Sequence, residues 1–199
     1  MSMAENMVIH PANLVQAEGL AVGAVSGAIT TIAAGGDVFG FRNVAGRPLA
    51  VANLRVRFVP TTAFASAQAV AFRVHKVYGL SKLHDTAGTS VQAHYKRQNQ
   101  VRGSAVGDRV PLTQMAAYIA GTAAITGATY TSADDDEPEE LAVSDGSVLP
   151  SIRDHHFWSR DGLCHVLEVN EGIVVKNHIT MGTSGVGNLF VGFDLYRMP

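Results

Sequence analysis

The chain has 199 residues, 47% apolar and only 16% charged, where an average soluble domain is about a quarter charged. Its net charge of −2 gives no electrostatic case for binding nucleic acid or an anionic membrane. Cys164 is the only cysteine, which excludes an intrachain disulfide and a cysteine-based zinc site.

The N-terminal residues 1–27 show neither a secretory signal nor a stable helix. MSMAENMVIHP has no basic region followed by a continuous apolar run, so we expect a chain made in a reducing cytoplasm. Three glycines interrupt the Ala- and Val-rich stretch Asn13–Gly27 and disfavour a helix there. We therefore predict an extended N-terminal arm over residues 1–27 and a single domain over residues 28–199.

Alternation of apolar and polar residues is the strongest pattern in that domain, and it predicts half-buried strands. These strands are predicted at Leu54–Phe58, Val70–His75, Leu163–Val169, Ile173–Ile179 and Leu189–Tyr196. Ala28–Ala34 and Val38–Arg42, split by two glycines and Asp37, are interpreted as a hairpin.

Residues 112–160 are predicted to form a long insertion or loop region, in which Leu112–Ala124 is either a short helix or a strand pair. The uncharged stretch Pro111–Ala133 is too interrupted by Gly, Thr and Gln to span a membrane. The predicted fold class is all-β: an antiparallel β-sandwich, jelly-roll-like, with an extended N-terminal arm and long loops.

The segment MGTSGVG, residues 181–187, resembles a phosphate-binding loop only in its glycines. It lacks the lysine of a Walker loop, the helix of a dinucleotide fingerprint and the final glycine of a nucleophile elbow. We interpret it as the loop of a hairpin whose glycines supply positive φ angles.

Histidines and acids do not occur at metal-binding spacings. His84, Asp85 and His94 lie around one loop, while the adjacent His155 and His156 follow Asp154 and would point to opposite faces of a strand. The run Asp134–Glu140 holds six acids in seven residues but lacks the alternation and glycine of an EF-hand. It predicts a solvated loop, with weak Ca²⁺ binding or docking on a basic neighbour left open. No metal or cofactor is predicted.

The sequence gives equally little support for a catalytic site. Ser184, His178 and Asp194 would meet only if they share one hairpin, and Phe157 beside Trp158 is more typical of an anchor than of a ligand contact. Cys164 alternates with its neighbours, which favours an inert buried thiol. We predict no catalytic residue and no enzymatic activity.

Three long stretches contain no charged residue: Gly19–Gly36, Val59–Phe72 and Pro111–Ala133. Free monomers usually intersperse charges over their surface. The pattern favours a surface covered by other chains; a monomer with a Ser/Thr/Gly/Ala exterior is the alternative.

Two segments resemble small structural proteins encoded among the head genes of tailed bacteriophages. LRVRFVPTTAFASAQAVAF, residues 54–72, is similar to a strand–loop–strand of that group. NEGIVVKN, residues 170–177, followed by Met181-Gly182 and the final alternating strand, is similar to its C-terminal hairpin. Together they cover about a quarter of the chain.

This resemblance implies a virion component, with a capsid decoration (cement) protein that stabilises the head shell by bridging capsomers as the leading role. Its partners would be the major capsid protein and itself, as a homotrimer or homodimer, with no nucleic acid and no membrane. The protein would be in the host cytoplasm before assembly and on the capsid surface afterwards. The alternative is a tail, baseplate or head-fibre component, such as a host-recognition or carbohydrate-binding β-sandwich.

Overall fold

The structure is a computed structural model that describes residues 20–44, 46–62, 64, 70–84, 88–90, 93–94, 115–133, 151–154, 165–182 and 185–197. Every regular element in these residues is a β-strand, and every pairing between strands is antiparallel. The strands are β1 Leu20–Val25, β2 Ile29–Thr30, β3 Asp37–Asn43, β4 Leu49–Thr62, β5 Phe72–Tyr78, β6 Gly88–Ser90, β7 Ala93–His94, β8 Met115–Ala120, β9 Ser132–Ala133, β10 Ser151–Asp154, β11 His165–Leu167, β12 Gly172–Asn177 and β13 Val186–Arg197.

The strands form two sheets. Sheet A has the order β10-β4-β13-β1-β7, with β11 paired to the first residues of β4 and β2 paired to the start of β13. Sheet B has the order β6-β8-β3-β12-β5-β9. Long strands lie at the centre of each sheet and short strands lie at the edges, an arrangement that limits edge-to-edge pairing with other molecules.

The two sheets pack face to face through their apolar faces. The Phe193 ring of sheet A meets Phe39 and Phe41 of sheet B edge-on, with ring centroids 5.8 and 5.0 Å apart. Phe58 and Phe72 make a second contact between the sheets, at 5.9 Å. Such aromatic pairs add about 1 kcal/mol each to the burial of the rings themselves. The predicted all-β antiparallel sandwich is confirmed; a jelly-roll connectivity stays a prediction.

Alternation identified the strands and their faces correctly over most of the described chain. Leu54 and Phe58 are buried between the sheets, while Arg55 is exposed. Leu189 and Phe193 are likewise buried along β13. Two ends were predicted too long, since Val169 beyond β11 and Ile179 beyond β12 are 44% and 38% exposed. Of the range 112–124, the described residues 115–124 contain one strand, β8, and no helix.

Both predicted hairpins are wrong, because alternation shows which face a residue takes but not which strand is its neighbour. β2 pairs with β13 in sheet A, whereas β3 lies in sheet B between β8 and β12. In the same way β12 belongs to sheet B and β13 to sheet A. The chain therefore changes sheet between β2 and β3 and again between β12 and β13.

The predicted domain limits also change. Leu20–Val25, expected in the arm, pairs with β13 over its whole length, so these residues are part of sheet A. Met115–Ala120, expected in an insertion, lies in sheet B between β3 and β6. The rest of the predicted arm, residues 1–19, lies outside the described residues.

Two fully buried asparagines fix the ends of the β3–β12 pair. The Asn43 amide donates to the carbonyls of Arg47, Leu167 and Glu168 at 3.0, 2.9 and 3.2 Å. The Asn177 amide donates to the carbonyls of Ile32, Ala33 and Ile179 at 2.9, 3.2 and 2.6 Å. Each amide thus joins two loops to one end of the central strands of sheet B, and both side chains are 0% exposed.

Candidate functional site

The outer face of sheet B is covered by the chain itself. Residues 79–84 and 128–131, called here the covering segments, lie over Val77 and Val174, and Leu80 and Leu83 pack on these valines as a second apolar cluster. The two covering segments are also hydrogen-bonded to each other: the Ser81 amide donates to the Thr129 carbonyl at 3.0 Å. Because Val174 is buried from this side and its neighbours from the other, β12 is apolar on both faces.

A polar cluster beneath the covering segments is the first candidate for chemistry. Lys176 of β12 lies 3.6 Å from the carboxylate of Asp37 on β3, and its ammonium donates to the hydroxyl of Tyr130 in a covering segment. Burial alone would lower the pKa of Lys176, but the hydrogen bond to Tyr130 and the charge of Asp37 outweigh it and raise the pKa. The contacts of Lys176 with Asp37 and Tyr130 join β12 and β3 to a covering segment, so the cluster acts as an anchor for it.

Burial of this polar cluster disfavours the charged form of Asp37. Burial raises the pKa of its carboxyl and outweighs the opposing attraction of Lys176 and His75. Its Oδ1 has no hydrogen-bond donor among the described residues. Burial at this position therefore favours the neutral form of the carboxyl.

The outer face of sheet A is different, since Val25 and Arg55 on it are exposed. One row of residues in register crosses it from Val25 on β1 to Phe190 on β13 and Arg57 on β4. The next row holds Gly23, Gly192 and Arg55. Val25 is 55% exposed, the highest value among the large apolar residues described. We call Gly23, Val25, Arg55, Arg57 and Phe190 the arginine face.

Arg57 is the cation of the arginine face that stacks on an aromatic ring. Its guanidinium carbon lies 4.6 Å from the centroid of the Phe190 ring, within the range of a cation–π contact. Stacking of this kind orients the guanidinium plane while its N–H donors stay at the rim, where they can meet a carboxylate. The face therefore offers apolar area beside a fixed positive charge, a combination typical of interaction surfaces.

The glycines of MGTSGVG serve packing rather than turn geometry. A Cβ on Gly185 would overlap the Phe64 ring, and one on Gly187 would overlap the Phe58 ring. Among the described glycines, positive φ angles occur instead at Gly35, Gly79 and Gly127. The predicted reason for these glycines is therefore wrong: they let the start of β13 lie flat against aromatic rings.

The three residues considered for nucleophilic catalysis, Ser184, His178 and Asp194, are not brought together by a hairpin. His178 follows β12 of sheet B and Asp194 lies on β13 of sheet A, while Ser184 lies outside the described residues. The residues Asp134–Glu140, Phe157, Trp158 and Cys164 also lie outside them.

Of the histidines considered as metal ligands, His84 is described with its side chain, and its ring packs on Tyr118 with centroids 3.7 Å apart. His94 and Asp154 are described in their backbone only, and Asp85, His155 and His156 lie outside the described residues. Within the described residues no group of three or more His, Cys, Asp or Glu is placed to hold a metal ion.

The segment NEGIVVKN has a structural task at most of its positions. Asn170 adopts a positive φ of 68° at the turn before β12, and Glu171 accepts a hydrogen bond from the Glu168 amide at 2.8 Å. A Cβ on Gly172 would overlap the Phe41 carbonyl. Asn177 joins the loops at the other end of β12. The segment NEGIVVKN therefore serves the turn, the packing and the loop attachment of β12.

Sequence reasoning missed the residues that carry most of these polar contacts. Asp37, Tyr130 and Lys176 are far apart in the chain, and Asn43 and Asn177 stand where a strand gives way to a loop. The sequence does contain one signal for these contacts: Lys176 and Asn177 directly follow the apolar run Ile173–Val175. Alternation alone predicts solvent exposure for Lys176.

No protein-family model, no curated protein and no solved structure matches the chain. In the described part of the chain no helix has the length and apolarity needed to cross a membrane.

Proposed function

We propose that this chain is a non-enzymatic structural protein of a tailed-phage virion, a capsid decoration protein that stabilises the head shell by bridging capsomers. The observation that carries the binding role is the contrast between the two outer faces. Sheet B is covered by the chain's own segments, whereas sheet A presents the arginine face. The phage setting comes from the resemblance of residues 54–72 and 170–177.

A rigid body supports this role. The core joins both sheets, and the covering segments bury the second face of sheet B, so binding costs little ordering of the described residues. A decoration protein works through contact area repeated over many capsomer boundaries. A flat, preformed sheet face with a stacked arginine can serve such a contact without any chemical step.

The major capsid protein would be the first partner. Apolar area around Val25 and Phe190 would be buried against it, and Arg57 would set the orientation through a carboxylate of the shell. Burial of exposed apolar surface contributes roughly 25 cal/mol per Å² before the costs of association. Many weak contacts of this type, summed over a shell, resist internal pressure together.

The test is the position of the protein on virions. Antibody against the purified chain should label the whole head of the phage that encodes it, and the label should be lost from particles assembled without the gene. Label confined to the vertex or tail would replace the proposal with the tail, baseplate or head-fibre role. Unlabelled virions, together with turnover in an esterase or glycosidase screen, would overturn the structural role altogether.

A further inference from the structure

Arg57 lacks an acidic neighbour across either adjoining strand. Its partners in register are Phe190 on β13 and Ile152 on β10. Arg55, in the next row, stands opposite Asp154. The positive charge of Arg57 is thus held over an aromatic ring without an acid directly opposite it in either adjoining strand. A carboxylate from outside the sheet is the group that fits it best.

Gly23 gives a second, independent indication that something approaches this face. Its φ lies outside the left-handed region, and a Cβ built on it meets nothing within 4 Å. Glycine within a strand costs about 0.5–1 kcal/mol relative to alanine, and the described chain gives no packing reason for it here. Close approach of another backbone is the common reason for such a glycine.

The sequence itself contains a segment with the matching chemistry. Asp134–Glu140 carries six carboxylates in seven residues, and Pro138 lacks the N–H that a further strand of the sheet would need. The described chain stops at Ala133 on β9 and resumes at Ser151 on β10, next to β4. This segment is therefore attached close to the arginine face.

We propose that Asp134–Glu140 of one copy docks on the arginine face of a second copy, with a carboxylate on Arg57 and extended backbone over Gly23. The inference rests on the proposed function only in treating the arginine face as an interface. Because each copy offers one face and one acidic segment, the contact is reciprocal and closes as a dimer or a small ring. The uncharged surface of neighbouring copies is then brought together.

Complementation between two variants tests this exchange. Arg57→Glu removes the acceptor, and replacing all six acids of Asp134–Glu140 by Asn or Gln removes the donor. Light scattering after size exclusion should give a closed oligomer for the wild type and a monomer for each variant. An equimolar mixture should recover a complex of two copies, since one variant keeps an intact segment and the other an intact face. Arg47→Glu, at an exposed turn position, is the matched control and should keep the wild-type mass.

The dependence of association on ionic strength and the affinity for a peptide of the acidic segment give a second test of the proposal. The association constant of the wild type should fall about tenfold or more as ionic strength rises from about 0.05 to 0.5 M, because exposed ion pairs are screened. A synthetic peptide of residues 134–150 should bind the acid-neutralised variant and lose about tenfold or more of that affinity when Arg57→Glu is added. Arg57→Gln replaces Arg57→Glu if the latter lowers the urea midpoint.

Two outcomes would overturn the proposal. A wild type that stays monomeric, with the peptide binding only the neutralised variant, would mean that each segment docks on its own copy; ten residues, 141–150, are enough to allow it. An oligomer that survives Arg57→Glu would place the interface elsewhere. Neither outcome decides whether the protein sits on a virion, which the antibody label tests separately.

Discussion

Asn43 and Asn177 lie at opposite ends of the β3–β12 pair, and each donates its buried amide to three backbone carbonyls. Between them they attach the loops on both sides of sheet B to its two central strands. A buried amide bonded to backbone carbonyls cannot be replaced by an apolar side chain without leaving those carbonyls unsatisfied. The fold is therefore sensitive at two polar positions as well as in its apolar core.

Asn177→Asp is expected to destabilise the protein strongly. The substitution keeps the shape but puts carboxylate oxygens against the carbonyls of Ile32 and Ile179 at a fully buried site. We expect a loss of about 3–5 kcal/mol at neutral pH, measured by urea unfolding. Thr122→Asp adds the same charge at an exposed position and should cost little; an equal loss in both variants would contradict the explanation.

Lys176→Met should destabilise the protein in a pH-dependent way. The raised pKa of Lys176 means that its charged form stabilises the fold at all pH values below its ordinary pKa. Without it, the buried Asp37 carboxylate loses its main attraction, so its pKa rises further. We expect a loss of about 1–2 kcal/mol near pH 7, given the partial exposure of the pair, that shrinks as the pH falls and Asp37 is protonated. Urea unfolding between about pH 4 and pH 8 measures it.

Asp37→Asn should behave in the opposite way. A carboxyl whose pKa is raised in the fold stabilises it below the ordinary pKa and loses that contribution as the pH rises through the raised value. Asparagine imitates the neutral form, so the variant should be at least as stable as the wild type near neutral pH. It should also relieve much of the Lys176→Met defect. A large loss in Asp37→Asn would show that the attraction to Lys176 outweighs burial.

Two glycine-to-alanine substitutions should distinguish a glycine required by close packing from one that only weakens its strand. In Gly172→Ala the new methyl group overlaps the Phe41 carbonyl, whereas in Gly23→Ala it meets open space. Gly172→Ala should cost about 2 kcal/mol or more, because backbone must shift. Gly23→Ala should stabilise the monomer by about 0.5–1 kcal/mol. Thermal unfolding of dilute protein compares them, and a loss at Gly23 would mean that the chain itself needs this glycine.

Arg42→Met should loosen one covering segment without affecting sheet A. Arg42 donates to the Ser81 carbonyl at 3.0 Å and to the Asn170 side chain, which joins the segment to the turn before β12. Hydrogen exchange should become faster at the amides of Leu80 and Ser81, by about tenfold for each 1.4 kcal/mol of local opening energy lost. The amide of Val191, in the centre of sheet A, serves as the internal control and should be unchanged.

Sequence alternation predicted most of the core because it follows from side-chain geometry within one strand. Leu54 and Arg55 point to opposite faces whatever strand lies beside them. The neighbour of a strand depends on contacts between distant segments, so the assignment of β2 and β13 to sheet A and of β3 and β12 to sheet B was not accessible. Val174 was expected on a solvent face for the same reason, since alternation does not include the covering segments.

Even less of the candidate site could be predicted from the sequence. Arg57 and Phe190 were each assigned the correct face by alternation, but their contact depends on the register of β4 with β13. Gly23 was interpreted as a helix breaker, and its open surroundings are visible only in three dimensions. The lone Lys176 in an apolar run was the one polar signal that sequence alone offers for the anchor beneath the covering segment.

The position of β13 has a consequence for how the protein is made. This strand lies between β4 and β1, yet a ribosome delivers it after both of them. During synthesis β1 and β4 cannot pair with it, and each exposes an edge and an apolar face to other nascent chains. Sheet A therefore closes only late in synthesis, and pairings this distant in sequence form slowly. Premature encounter between copies, rather than low final stability, is then the main hazard for production of the protein, and slower expression at lower temperature should raise the soluble yield.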